Sequence, residues 1–202
     1  MATVAIDIVN MALVKLDVAI LANLDGKSKA TQYASTSYDT LRDAVMGGAP
    51  WGFAMARAIL PRSTEDIPWG VDNAHRYAKP GDCLRIWRVY QQVRWQVEGD
   101  FVVVGSLNAE DNTRQWASAP DFLKVRYIKR ITEPGKYNPF FKEALATRLA
   151  MEWCVGLTGS DAKKQVLMTE YAAKLEDAKA LDGQEGVPED IHAVSWSDSR
   201  LD

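Results

Sequence analysis

The stretch VRWQVEGDFVVVG, residues 93–105, decides what kind of fold this chain adopts. Val93, Trp95 and Val97 alternate with Arg94, Gln96 and Glu98. A period of two puts the first set on one face of a strand and the second on the other. Gly99 and Asp100 supply a turn, and the β-branched run from Phe101 to Val104 returns as the second arm of a hairpin. "CLRIWRVY" (83–90) and "FLKVRYIKRI" (122–131) alternate in the same manner. A small antiparallel sheet of three or four strands is therefore expected over about residues 76–131. The polar segment "GSLNAEDNTRQWASAP" (105–120) lies within it and is long enough to serve as an interaction loop.

On the N-terminal side the period is helical. Ile6, Val9, Leu13, Leu16 and Ile20 step by three and four, one stripe of an amphipathic helix. Asn23, Asp25 and Gly26 mark a turn. A second stripe follows in Ala30, Ala34, Tyr38, Leu41 and Val45. "GGAPWGFAMARAIL" (47–60) interrupts it. Gly47 and Gly48 are expected to end the helix through a left-handed residue. Pro50 suits the first turn of a new short helix, and Trp51 and Phe53 are expected to lock this corner into the core.

Beyond Pro134, Gly135 and Pro139 the chain turns helical again, with Phe141, Leu145, Leu149 and Trp153 at every fourth position. "GLTGS" breaks this helix, and Ser160 is placed to cap the next. Leu167, Tyr171, Leu175 and Ala178 form its buried stripe, Glu170 and Lys174 an exposed i,i+4 pair, and Gly183 its end. The expected fold is α+β, mainly α: a helical bundle with a small antiparallel β-sheet insert and an extended C-terminal tail. One domain spans residues 1–182, with helices over about 3–60 and 138–182, and an acidic tail covers 183–202.

The 202 residues suffice for one domain with a real core, and 47% hydrophobic against 25% charged is ordinary for a soluble globular protein. A net charge of −3 gives no global attraction to nucleic acid or membrane. Its distribution is uneven. Residues 75–136 carry eleven Lys or Arg against seven acids, whereas 182–202 carry six acids against Arg200 alone. Cys83 and Cys154 have no metal-type spacing and point to a reducing compartment. The first residues lack the basic leader of a signal peptide, and no apolar run approaches the roughly 18 residues of a membrane span.

No catalytic constellation assembles. His75 and His192 have no second ligand at helix or strand spacing, so a metal site is not expected. Cys154 lies in an apolar helix and reads as a small buried hydrophobe. Glu65–Asp66 and Glu110–Asp111 sit in polar loops, where carboxylates are solvated. "GGAP" and "GLTGSDAKK" are helix junctions without the preceding strand that a phosphate loop needs. One binding reading stays open. Arg85, Trp87, Arg88, Tyr90, Arg94 and Trp95 interleave cations and aromatics on the sheet, as single-strand nucleic-acid platforms do. The alternative is the solvent face of a sheet with its aromatics on the core side. Alternation supports that alternative, because Trp95 aligns with Val93 and Val97.

Three motifs stand in order along the chain. An Asn-x-Ala-Leu-x-x-Leu helix is matched by Asn10, Ala12, Leu13 and Leu16. Tyr-Asp-x-x-Arg-Asp leading to Pro-Trp-x-Phe-Ala is matched by Tyr38, Asp39, Arg42, Asp43, Pro50, Trp51, Phe53 and Ala54. A Phe-x-Glu-Ala-Leu helix with Leu-Ala is matched by Phe141, Glu143, Ala144, Leu145, Leu149 and Ala150. Taken together, the resemblance is to the head-to-tail adaptor proteins of short-tailed bacteriophages, the tail tubular protein A and packaged-DNA stabilisation proteins, and it covers about residues 4–182, with Asp17 in place of a common helix-ending glycine and Gly52 in place of a common asparagine. It implies a non-enzymatic virion protein without cofactors, located at the head–tail junction and in the host cytoplasm during assembly. Such subunits form a ring, typically of twelve copies, under the portal protein. They retain packaged DNA and carry the tail nozzle or other tail proteins, while DNA passes through without specific binding. Twelve copies at −3 would carry about −36, a field that discourages DNA from adhering to a channel wall. A basic sheet face is then expected away from the lumen or in intersubunit pairs. Ile191, Val194, Trp196 and Arg200 mark the tail as a candidate portal anchor, with a plain disordered terminus as the alternative.

Overall fold

The computed structural model describes residues 4–65, 67, 74–91, 93–105 and 120–184. Helices α1 (Ala5–Leu16), α2 (Lys29–Gly47), α3 (Pro139–Thr158) and α4 (Asp161–Gln184) form the bundle. Between α2 and α3 run strands β1 (Met55–Pro61), β2 (His75–Ala78), β3 (Cys83–Val89), β4 (Trp95–Glu98), β5 (Phe101–Val104) and β6 (Phe122–Lys129). The mainly α, α+β architecture matches the periodicities of the sequence.

Helix α3 is the hub. Phe141, Leu145, Leu149 and Trp153 are buried as expected, and so are Ala144, Ala146, Thr147, Ala150 and Cys154. A helix buried on so many sides belongs at the centre, and α1, α2 and α4 all pack on it. Asn138 starts it by accepting from the Phe141 amide at 2.7 Å. Gly159, at φ 70°, ends it. Ser160 then caps α4, its hydroxyl accepting from the Lys163 amide at 3.2 Å. Leu167 and Ala178 are buried, with Tyr171 and Leu175 packed beside them.

Several local expectations are corrected. Glu170 and Lys174 do not pair with each other: Lys15 of α1 meets Glu170 at 2.5 Å, and Lys174 meets Glu143 of α3 at 2.7 Å. Both side chains point at neighbouring helices, where opposite charges stand closer than along α4. Helix α4 also continues through Gly183 to Gln184, since one glycine in a last turn costs only about 1 kcal/mol. Ile20 lies beyond α1 and is exposed. Asp17, at the end of α1, adopts the left-handed conformation (φ 61°, ψ 39°) that glycine takes more readily. Asn10 holds the following turn, donating to the Leu21 carbonyl at 2.9 Å and accepting from its amide at 2.8 Å.

At the end of α2, Gly48 is right-handed (φ −73°), not left-handed. The Val45 carbonyl accepts instead from the Gly48 amide and the Trp51 indole, at 3.3 and 3.1 Å. Trp51 is fully buried, edge-on to Phe141 with centroids 5.1 Å apart, and Phe53 packs on Phe141 and Tyr137. Trp51 and Phe53 thus pack into the bundle core, while Pro50 beside them is exposed. The helix expected after Pro50 does not form. Only a 3-10 turn, Gly52–Ala54, separates the corner from β1. Met, Ala, Arg and Leu favour helix locally, but β1 pairs with β6 from Met55↔Ile128 to Pro61↔Phe122, and that ladder outweighs propensity.

The β region is two antiparallel sheets, β1-β6-β3 and β2-β5-β4, not one. Leu60, Ile86, Val89, Leu123, Val125 and Tyr127 of the first sheet share a core with Tyr77, Val102 and Val104 of the second. Trp95 and Val97 pair with Val104 and Val102, so alternation identifies their face correctly. Yet both stay exposed, at 38% and 46%, because β4 is an edge strand overhanging the core. The expectation that Trp95 packs on the core side is corrected to that extent.

Candidate functional site: the outer face of the first sheet

Strands β1, β3 and β6 hold Arg57, Arg85, Arg88, Lys124, Arg126 and Lys129, and not one Asp or Glu. Lys129 pairs with Asp82 at 3.2 Å. The others are set by register. Arg57 lies opposite Arg126, and Arg126 opposite Arg88, so three arginines stand in a row across three strands. Directly paired residues share a face, and neighbouring strands lie about 4.8 Å apart. Below this row Met55 and Ile128 pack against the bundle. Above it Ile59 pairs with Lys124 and Pro61 with Phe122.

Strand β3 turns its side chains outward through two irregularities. Its ladder with β6 skips Leu84 and Trp87, so each is an extra residue of a β-bulge. Ile86 and Val89, three apart, therefore both point inward, while Arg85, Trp87, Arg88 and Tyr90 are all exposed. The aromatics expected on the core side of this strand are on the outside. Arg85 stands over Trp87 at 5.5 Å, Arg88 over Tyr90 at 5.3 Å, and Lys124 over Phe122 at 5.8 Å from the ring centroids. Gln91 prolongs the pairing, donating to the Phe122 carbonyl at 3.1 Å and accepting from the Lys124 amide at 2.9 Å. A cleft of about 890 Å³ lies here, lined by Arg57, Ile59, Tyr90, Gln91, Phe122 and Lys124 among others.

Of the six residues expected on a basic and aromatic face, four come together: Arg85, Trp87 and Arg88 on β3 and Tyr90 directly after it. Arg94 and Trp95 belong to the approach and start of β4 in the second sheet. Arg57, Ile59, Phe122, Lys124 and Arg126 complete the face. Of these, Lys124 and Arg126 were visible as sheet cations, but Arg57 was not, because its segment reads as helix. The tail residues Ile191, Val194, Trp196 and Arg200, His192, and the loop acids Glu110 and Asp111 lie outside the described residues.

Burial pushes the Cys83 thiol up from its usual range, and Cys154 is completely buried. Among the described residues no cluster of His, Cys, Asp or Glu could hold a metal ion, and no helix is long and apolar enough to cross a membrane.

The charged residues of the segment Tyr38–Asp43 have a physical role in the bundle. Arg42, 5% exposed, meets Asp39 at 2.5 Å and Asp43 at 2.7 Å, and Asp43 in turn meets Arg130 at 2.7 Å. This chain of charges ties α2 to the segment leaving β6. Tyr38 and Tyr137 lie beside it, and burial raises the pKa of Tyr38 to about 12. No protein-family model matches the chain, and no curated protein matches it either.

Proposed function

We propose that the chain is a structural subunit of a phage head–tail connector. It would form a ring under the portal protein, help retain packaged DNA and carry the nozzle or other tail proteins. The ordered resemblance over about residues 4–182 supports this reading. So does one observation on the bundle, a second apolar stripe on α1. Val4, just before the helix, and Met11 and Val14 on it recur at helical spacing, with exposures of 50%, 38% and 65%. Ile20, beyond the helix, adds 64%. A closed ring buries such a stripe against the neighbouring subunit, which is how a subunit tolerates it. The acidic tail would serve as portal anchor, and twelve copies is the expected stoichiometry.

Light scattering of the protein, alone and mixed with portal protein, tests the reading. A ring-sized assembly formed on the portal is expected. A protein that stays monomeric with portal present refutes it. Val14→Glu, at an exposed position, should leave the fold intact and prevent the ring.

A further inference from the structure

We propose that the outer face of the β1-β6-β3 sheet binds single-stranded nucleic acid. It would stack bases on Trp87 and Tyr90 and hold phosphates on Arg57, Arg88, Arg126 and Lys124. The net charge of −3 conceals the feature. The outer face takes Arg57, Arg85, Arg88, Lys124 and Arg126 and no acid from its three strands, a local field that attracts a polyanion, while Lys129 lies on the other face and pairs with Asp82.

The chemistry of the anion follows from the rings. Trp87, on a strand whose inner residues are buried, and Tyr90, directly after it, are 40% and 39% exposed. The bulges turn them outward, and each has an arginine two residues before it. A nucleotide carries a flat base and an anionic phosphate side by side, which matches a ring and a guanidinium side by side. A duplex hides its base faces in the stack and would use the cations alone. An acidic peptide would also use the cations and leave the rings idle. Gln91 fixes the end of β3 against β6, so the platform is set before a ligand arrives.

This site is separate from the ring reading. Portal assembly can fail while oligonucleotide binding succeeds, and the reverse also holds.

Fluorescence anisotropy of the full-length protein decides the matter. The probe is a labelled oligothymidylate of about twenty nucleotides, longer than the roughly 4–16 nucleotides that such surfaces cover. Duplex of equal length and polyglutamate serve as competitors. Binding is expected that weakens as salt rises from about 50 to 200 mM, with a log–log slope of about −0.7 per phosphate held. The double variant Trp87→Ala/Tyr90→Ala should bind at least about tenfold more weakly. Arg57→Gln should flatten the salt slope by about 0.7. All three positions are exposed, and an unchanged melting curve for each variant verifies its fold. No binding at low salt overturns the proposal, as does equal binding by the aromatic double variant. Preference for duplex shows a face that reads backbone only and overturns it too. Displacement by polyglutamate, with no loss in the aromatic variant, assigns the face to an acidic protein instead.

Discussion

Gly156 lies in the last turn of α3 where Tyr33 of α2 crosses it. A β-carbon there would sit 1.9 Å from the Tyr33 hydroxyl oxygen and 2.5 Å from Cζ, inside any tolerable contact. Gly156→Ala therefore sets two effects against each other. Alanine is the better helix former by about 0.5–1 kcal/mol near a helix end. Against this, the Tyr33 ring must swing off the bundle core on which it is partly buried. Losing about half of a large side chain's burial costs about 1–1.5 kcal/mol, and a strained rotamer adds about 0.5. The sum is a net loss of about 1 kcal/mol, a fall in Tm of about 2–4 °C for a chain of this size. In a Tyr33→Ala background the obstacle is absent and the sign reverses: Gly156→Ala should then stabilise by about 0.5–1 kcal/mol. Thermal melts and urea titrations of the four proteins give a coupling energy of about 2 kcal/mol. A stabilising Gly156→Ala in the parent protein refutes the reasoning, as does the same cost in both backgrounds.

Other perturbations are as direct. Asp17→Gly replaces the one non-glycine residue at positive φ among those described and removes a carboxylate from a helix C-terminus, so the melt should rise by an amount equivalent to about 0.5–1 kcal/mol. Asn10→Ala removes both hydrogen bonds to Leu21 and should cost about 1–3 kcal/mol in urea unfolding. Tyr38→Phe deletes a buried hydroxyl with no hydrogen-bond partner among the described residues and should be neutral or stabilising by about 1 kcal/mol, whereas a clear loss would mean that the hydroxyl has one. Burial lifts the pKa of Tyr38 to about 12, and burial with the hydrogen bond to Asp82 lifts that of Tyr127 to about 12. Both folded values exceed the unfolded value of about 10, so the unfolded chain holds fewer protons between pH 10 and 12. The stability contributed by these tyrosines is whole below pH 10 and disappears as pH rises through 12. Denaturant midpoints and the 295 nm absorbance measured across that range should change together.

The bundle was legible because its signals are local. The stripe Phe141, Leu145, Leu149 and Trp153 depends only on helical geometry, and Gly159 and Ser160 end one helix and cap the next with their own atoms and backbone, as the break at GLTGS announces. Trp51 was also legible, since an aromatic beside a helix stop has little choice but to pack. Strand β1 was not, because the residue opposite Met55 is Ile128, far along the chain, and the segment itself consists of helix formers. The partners of Glu170 and Lys174 were hidden for the same reason: they lie on α1 and α3, not on their own helix.

Sequence reading failed differently on the candidate face. Strict alternation along β3 separates Arg85, Trp87 and Val89 from Ile86, Arg88 and Tyr90, each set mixing apolar and charged residues. No solvent boundary satisfies that division. The bulge at Trp87 resolves it by inserting a step of three, so that Ile86 and Val89 face the core and both arginines face water. A strand pattern that pairs charge with hydrophobicity on both faces is thus itself a signal of a bulge. Here the step brings Trp87 and Arg88 out together, beside Arg126 and, across the sheet, Arg57. A regular strand with the same composition would bury either a tryptophan beside a guanidinium or an isoleucine beside one. Burying an unpaired guanidinium costs several kcal/mol, far more than leaving one tryptophan partly exposed. Burial energetics therefore favour the conformation that gathers these cations and rings on one surface.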